Sequence, residues 1–240
     1  MDRSRRELLK AALGLGAGLV AGAALPPAAD AAGDLQACQP HGDPLAHLLE
    51  GNRRFAAAWQ AAARTADQVQ RRRLYTALLQ NDCFLNPAAL ATGQQPWAAL
   101  LTCADSRVSP DLVFGVTPGE MFEVRSAGNT ASNAGIASLE YAVAELKVPL
   151  LVVMGHSGCG AVKAAQASEP LTPLLEELVE PIRAVLQAGD SLSQAIRRHA
   201  VAAAQTLPRR SAVLREAQAG NTLRIQPAFF DLATGLVSVL

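Results

Sequence analysis

The chain has 240 residues, 50% of them hydrophobic and 18% charged, an ordinary globular composition with enough apolar side chains for one sizeable core. Its 21 basic and 21 acidic residues cancel to a formal net charge of zero, which leaves no electrostatic footprint for nucleic acid or an anionic membrane surface. No stretch reaches the roughly 20 apolar residues that a membrane-spanning helix needs, so no stable membrane anchor is expected.

The N-terminus reads as a targeting segment. Ser4-Arg5-Arg6-Glu7-Leu8-Leu9-Lys10 precedes a weakly hydrophobic, glycine-rich run over 11–25, followed by Pro26-Pro27 and small residues around Ala29-Asp30-Ala31. A charged start, a short apolar middle and an Ala-x-Ala end make a signal peptide. The paired arginines resemble the twin-arginine export signal, which implies the twin-arginine machinery as a partner during targeting and a periplasmic or otherwise exported location. That route carries proteins already folded. Residues 1–32 are expected to be removed, leaving 33–240 as a single domain of about 208 residues. Leu35-Gln36-Ala37-Cys38 faintly resembles a lipoprotein box, but it lies beyond the apolar run, two prolines and two aspartates.

Downstream, Asp43-Pro44 opens a helix with proline in its first turn, and Leu45, Leu48, Leu49 and Phe55 recur at helical spacing. A second helix is expected over 66–79, and Gly93 and Pro96 close this region. A short buried strand follows at 97–102, then another at 121–124. Ile136, Leu139, Val143 and Leu146 share one face of a helix over 132–147. The run 148–154 is continuously apolar, as a parallel strand covered on both faces should be. Helical patterns return over 174–187, 192–207 and 212–219, and two strands, 222–230 and 236–240, end the chain. Pro227 inside the first of these argues for an edge or a bulge. Strand alternating with helix predicts an α/β fold: a largely parallel central β-sheet flanked by helices, with an N-terminal helical extension.

Ligands of such sheets sit beyond the carboxyl ends of the strands, and two strand ends here carry chemistry. One is followed by Cys103-Ala104-Asp105-Ser106-Arg107, the other by Gly155-His156-Ser157-Gly158-Cys159-Gly160. If those strands are neighbours, Cys103, His156 and Cys159 converge. Two thiolates and an imidazole are a known zinc set, and three protein ligands leave a fourth position for water. His-x-x-Cys alone is as well explained by a strand-to-helix turn holding two core residues; the strand-terminal Cys103 is what favours a metal. Asp105 and Arg107, two apart on extended chain, point the same way and can pair. A carboxylate held by a guanidinium keeps a low pKa and a fixed orientation, so beside a metal-bound water it would orient the attacking lone pair. The alternative is a plain salt bridge at a strand end.

The segments Cys103-Ala-Asp-Ser-Arg-Val, Glu123-Val-Arg-Ser-Ala-Gly-Asn129 and Gly155-His-Ser-Gly-Cys-Gly160 together resemble the β-class carbonic anhydrases. The likeness extends from about Leu45, where LAHLLEGNRRFAA is similar to the family's N-terminal helix, to the end of the chain. It implies one zinc ion per subunit bound by Cys103, His156 and Cys159, with Asp105 and Arg107 as the catalytic pair. The expected reaction is reversible hydration of carbon dioxide to bicarbonate by a zinc-bound hydroxide, since zinc lowers the pKa of its water to about 7. The resemblance further implies a homodimer, often paired into tetramers, with active sites close to the subunit interface.

Two departures stand out. One subset of the family binds inhibitory bicarbonate through a Trp, an Arg and a Tyr; the matching positions here are Leu100, Arg125 and Phe230, so no such pocket is expected. Many relatives carry Glu-Asn where this chain has Arg198-His199, so that helix end is expected to pack differently. His41, His47 and His199 are proton-shuttle candidates in name only, each read as a surface residue. Cys38 and Cys83 are read either as a disulfide suited to an oxidising compartment or as two unpaired residues. Rival functions are hydrolysis of carbon disulfide or carbonyl sulfide on the same scaffold, and a thiol redox role that leaves His156 and the Asp–Arg pair unexplained.

Overall fold

The computed structural model describes residues 35–80 and 83–240; the expected signal peptide, 1–32, lies outside them. Helix α1 (Pro44–Ala63) starts where Asp43 caps it, the carboxylate accepting the Leu45 amide, with Pro44 at the first position. Helix α2 (Gln68–Leu78) is capped by Asp67 in the same way and buries none of its residues. A short α3 (Pro87–Leu90) leads into β1 (Ala98–Cys103). Then follow α4 (Pro110–Phe114), β2 (Met121–Ser126), a 3-10 turn at Ala127–Asn129 and α5 (Asn133–Ala144). The second half comprises β3 (Leu150–His156), α6 (Gly160–Gln166), α7 (Pro173–Arg183), α8 (Leu192–Arg210), α9 (Ala212–Ala219), β4 (Arg224–Phe230) and β5 (Val237–Val239).

The five strands form one sheet in the order β2-β1-β3-β4-β5, parallel throughout except for the β4–β5 pair. Alternate residues of a strand face opposite sides, and this sorts the core into two layers. Leu100, Val152, Met154 and Phe230 pack against Leu48, Phe55 and Phe114 of α1 and α4. Leu101, Leu151 and Val153 pack on the other side against Leu139, Ala203, Leu207 and Leu214 of α5, α8 and α9. Every residue of β3 is buried, as its apolar run requires.

Two close approaches set the frame. A Cβ on Gly51 of α1 would lie 1.7 Å from the Phe114 carbonyl oxygen, and one on Gly155 would lie 2.9 Å from Ile196 Cγ2; only glycine lets α1 reach α4 and α8 reach β3. Beside Gly51, the buried Asn52 donates to the carbonyls of Val113 (3.2 Å) and Gly235 (2.9 Å) and accepts the Val237 amide (2.8 Å). One side chain thus ties α1 to α4 and to the β4–β5 turn.

The boundaries shift for identifiable reasons. α5 stops at Ala144 rather than 147 because Lys147 takes a left-handed φ of 58° and the Val148 amide turns back to the Ala142 carbonyl. β3 runs on to His156, so that residue, like Cys103, ends its strand. Pro227 marks neither the sheet edge nor a bulge: β4 lies inside the sheet with unbroken register to β3. Its carbonyl faces β5, accepting the Leu240 amide at 3.0 Å, while the Arg224 amide, on the other side of the strand, meets Pro149 of the β3 approach. The missing N–H therefore falls on the short β5 side, where it breaks no bond to β3. Cys38 and Cys83 form a disulfide, Cα–Cα 5.6 Å, joining the segment before α1 to the loop after α2.

Candidate metal centre

The strands that end in Cys103 and His156 are hydrogen-bonded neighbours, further held by the Thr102 hydroxyl donating to the Met154 carbonyl at 3.0 Å. From the end of β3 the chain turns through Gly158, at a left-handed φ of 68°, and places Cys159 as the residue before α6. Cys103 Sγ, Cys159 Sγ and a ring nitrogen of His156 come within 4.8 Å of one another, with the two sulfurs 4.0 Å apart. All three residues are buried.

His156 Nδ1 lies 3.0 Å from the Ser157 carbonyl, an acceptor that fixes the proton on that nitrogen. Nε2 is left with its lone pair, buried and without a hydrogen-bond partner. A buried orphan acceptor facing two sulfurs is what a cation would satisfy. The sulfurs agree. Cys103 is held well below the ordinary thiol range, mainly by the hydrogen bond from Cys159, with the Gly128 amide adding to it against the cost of burial. Cys159, facing that thiolate and buried, is pushed up. Two adjacent buried thiolates repel unless a cation joins them, so the donor set fits zinc.

Asp105 and Arg107 pair as expected, but on a turn beyond β1 and not on extended chain. The Val108 amide closes that turn on the Asp105 carbonyl (3.0 Å). Arg107 Nε donates to Oδ1 (2.9 Å) and Nη2 to Oδ2 (2.7 Å), while its backbone amide also reaches Oδ1 (2.9 Å). These bonds hold the carboxyl far below the usual carboxylate range. Oδ2 lies 3.7 Å from His156 Nε2, on the side of the Cys-His-Cys cluster. Arg107 Nη2 also donates to the Gly158 carbonyl (3.2 Å) and so bridges the loops that carry Cys103 and Cys159.

Two groups beneath the site escape sequence reasoning about their roles. Arg125 of β2 donates to the carbonyls of Cys103 (3.1 Å), Asp105 (3.1 Å) and Val108 (2.7 Å), clamping the loop that carries Cys103 and the aspartate. The Gly128 amide donates to Cys103 Sγ at 3.2 Å. Both lie in the motif 123–129, which is the signal that could have found them. Leu100 and Phe230 belong to one buried apolar cluster. Of the histidines, His41 and His47 are exposed, the latter edge-on to Trp97. His199 is not a surface residue: it is 3% exposed and sits mid-helix in α8, its Nε2 2.9 Å from the Gly128 carbonyl. Its neighbour Arg198 pairs with Asp190 (2.9 Å), so this stretch is interior to the helix rather than at its end.

A Cys-His-Cys cluster at the carboxyl edge of a mainly parallel sheet, with an ionised aspartate beside it, defines a zinc-dependent α/β enzyme. The carbonic anhydrase family model matches residues 98–237, and the chain belongs to that family, in its β class. It is 39% identical over 157 residues to carbonic anhydrase 2 of Mycobacterium tuberculosis, covering 62% of this chain and 76% of that protein. With the carbonic anhydrase of Mycolicibacterium smegmatis it shares 34% over 161 residues, 63% of this chain and 78% of the relative. The Coccomyxa β-carbonic anhydrase, solved in complex with acetazolamide, aligns with a TM-score of 0.59 and 28% identity over 83% of this chain and 87% of its own. A tetrameric β-carbonic anhydrase of Sordaria macrospora shares the fold, with a TM-score of 0.56 and 24% identity over 82% of this chain and 98% of its own.

Proposed function

We propose that Cys103, His156 and Cys159 hold the one zinc ion of each subunit, and that Asp105 and Arg107 orient the reactants of reversible carbon dioxide hydration. The observation that carries this is the convergence of three buried donors, among them the partnerless Nε2 of His156. The ion supplies Lewis acidity, lowering the pKa of a bound water to about 7. The rest is the work of the chain. Two thiolates balance the divalent charge in a buried site, and the Ser157 carbonyl keeps the His156 proton on Nδ1. Asp105, ionised at every physiological pH because Arg107 holds both its oxygens, accepts a proton-donor bond from the attacking water and so aims its lone pair at carbon dioxide. The same bidentate clasp commits the carboxylate to the acceptor role and not to metal ligation.

Stopped-flow carbon dioxide hydration tests this. Cys103→Ser should lose zinc and activity together, and Asp105→Asn should keep zinc but fall by roughly a hundredfold. Full activity in Cys103→Ser would contradict the ligand assignment.

We also propose export by a twin-arginine-type signal over 1–32, with 33–240 as the mature catalytic domain in the periplasm or beyond. Ser4–Lys10 supports this, and so does the Cys38–Cys83 bridge, a feature of oxidising compartments. Fusion of residues 1–32 to a reporter should give export that Arg5→Lys/Arg6→Lys abolishes. A homodimer or tetramer is the proposed working unit, in keeping with the tetrameric fungal neighbour.

A further inference from the structure

The buried His199 has no place in the chemistry above, yet it is linked to the ligand sphere through a single glycine. Its Nε2 lies 2.9 Å from the Gly128 carbonyl, while Nδ1 is buried without a partner. The carbonyl can only accept, so the proton sits on Nε2 and the ring is neutral; burial lowers its pKa to about 4, in agreement. Gly128 in turn is locked. Its φ of 71° and ψ of 20° are left-handed, and a Cβ there would meet Ile182 Cδ1 at 2.8 Å and Ala161 Cβ at 3.0 Å, so α6 and α7 leave room for glycine alone. Its amide donates to Cys103 Sγ.

We propose that His199 is a positioning residue for the metal centre: by hydrogen-bonding the Gly128 carbonyl it fixes residue 128 so that its amide points at the Cys103 sulfur. This rests on the zinc reading of the cluster. Hydrogen bonds from outer groups orient ligands and tune their donor strength, and losing one typically costs 10–100-fold in metal affinity. An amide–sulfur bond lowers the charge density on Cys103, so its presence shows in the electronic spectrum of the bound metal as well as in affinity. The link skips the ligands' own sequence motifs and runs from the middle of α8.

The test uses His199→Phe, similar in size but unable to donate, and His199→Gln, whose amide nitrogen reaches about as far as Nε2 and keeps the donor. Zinc affinity is read by competition with a chromophoric chelator, and the cobalt-substituted proteins by their near-ultraviolet sulfur-to-cobalt absorption. We expect His199→Phe to bind zinc about 10–100-fold more weakly with a displaced absorption band. His199→Gln should return both to near wild type, although it fills the space less well. Should His199→Phe fail to fold, His199→Gln against His199→Leu gives the same contrast, and exchange of the Gly128 amide hydrogen in the zinc-loaded wild type supplies a second reading: slow exchange is expected. Unaltered affinity and band in the non-donor variant, or a fast-exchanging Gly128 amide, would overturn the positioning role while leaving the zinc site intact. A wild-type protein that takes up neither zinc nor cobalt would overturn the zinc reading and this one with it.

Discussion

Asp105 shows how one charge is kept ready by its neighbours. Both oxygens are occupied by Arg107, and the backbone amide of residue 107 adds a third bond. In Arg107→Ala the carboxyl should titrate closer to the ordinary range near 3.8, and the bridge to the Gly158 carbonyl is lost as well. We expect carbon dioxide hydration to fall about tenfold or more, with zinc still bound. Full activity would remove Arg107 from the account. A second carboxyl behaves oppositely. Glu123, half-buried and facing Asp111, is pushed up to about 7 from 4.5. A raised pKa means that the folded chain prefers the protonated form, so this contribution to stability is full below about pH 4.5 and lost as pH rises through 7. Glu123→Gln should therefore gain on the wild type between pH 5 and 8, by on the order of 1 kcal/mol after allowance for solvent. Thermal melts at the two pH values check it, and parallel curves would contradict it. The convergence of Cys103, His156 and Cys159 was legible in the sequence because residue type and strand-end position name them without knowledge of the packing. Arg125, Gly128 and His199 were not, because they act on or through backbone atoms of distant segments, and no side-chain pattern encodes that. The Asp–Arg pairing was read correctly, but from extended geometry where a turn produces it.

Among the elements, α1 deserves its place through two consecutive residues. Gly51 permits the contact with α4 that a methyl group would break, and Asn52 satisfies three backbone groups at once. Asn52→Ala leaves those groups buried and unpaired, at about 1–3 kcal/mol for the first and less for any that reach water. A loss of about 3 kcal/mol in urea unfolding is expected, and a loss under 1 kcal/mol would show that α1 is not pinned this way. Helix and strand positions were largely readable from periodicity, whereas the ends depended on non-local or conformational detail: a left-handed lysine stops α5, and the sheet carries β3 two residues further. The short α3, α4 and α6 fall below the length at which a helical period can be recognised. Pro227 suggested an edge strand because its sequence does not reveal which side of the strand its missing N–H would face.

At the scale of the whole molecule, the Cys38–Cys83 bridge closes a loop with a sequence separation of 45 around α1 and α2, the second of which buries none of its residues. Constraining a loop of that size in the unfolded chain stabilises by about 2–4 kcal/mol, so reduction should lower the melting temperature by on the order of 10 °C. A Cys38→Ser variant should melt at the lower temperature with or without reductant. Identical melting of oxidised and reduced wild type would contradict the staple. The ligand loops stand apart from this bridge, at the opposite, carboxyl edge of the sheet, where the third apolar cluster, with Val162, Ile182 and Ile196, encloses Cys103 and Cys159. Everything about the enzyme's chemistry depends on what those sulfurs and His156 bind. X-ray absorption at the zinc edge of the purified protein at pH 8 addresses this directly. The account predicts two sulfur neighbours near roughly 2.3 Å and two lighter ones near about 2.0 Å, only one of these a histidine nitrogen, and loss of the zinc signal in Cys103→Ser. Zinc held by four protein atoms, or an unaltered sulfur shell in that variant, would contradict it.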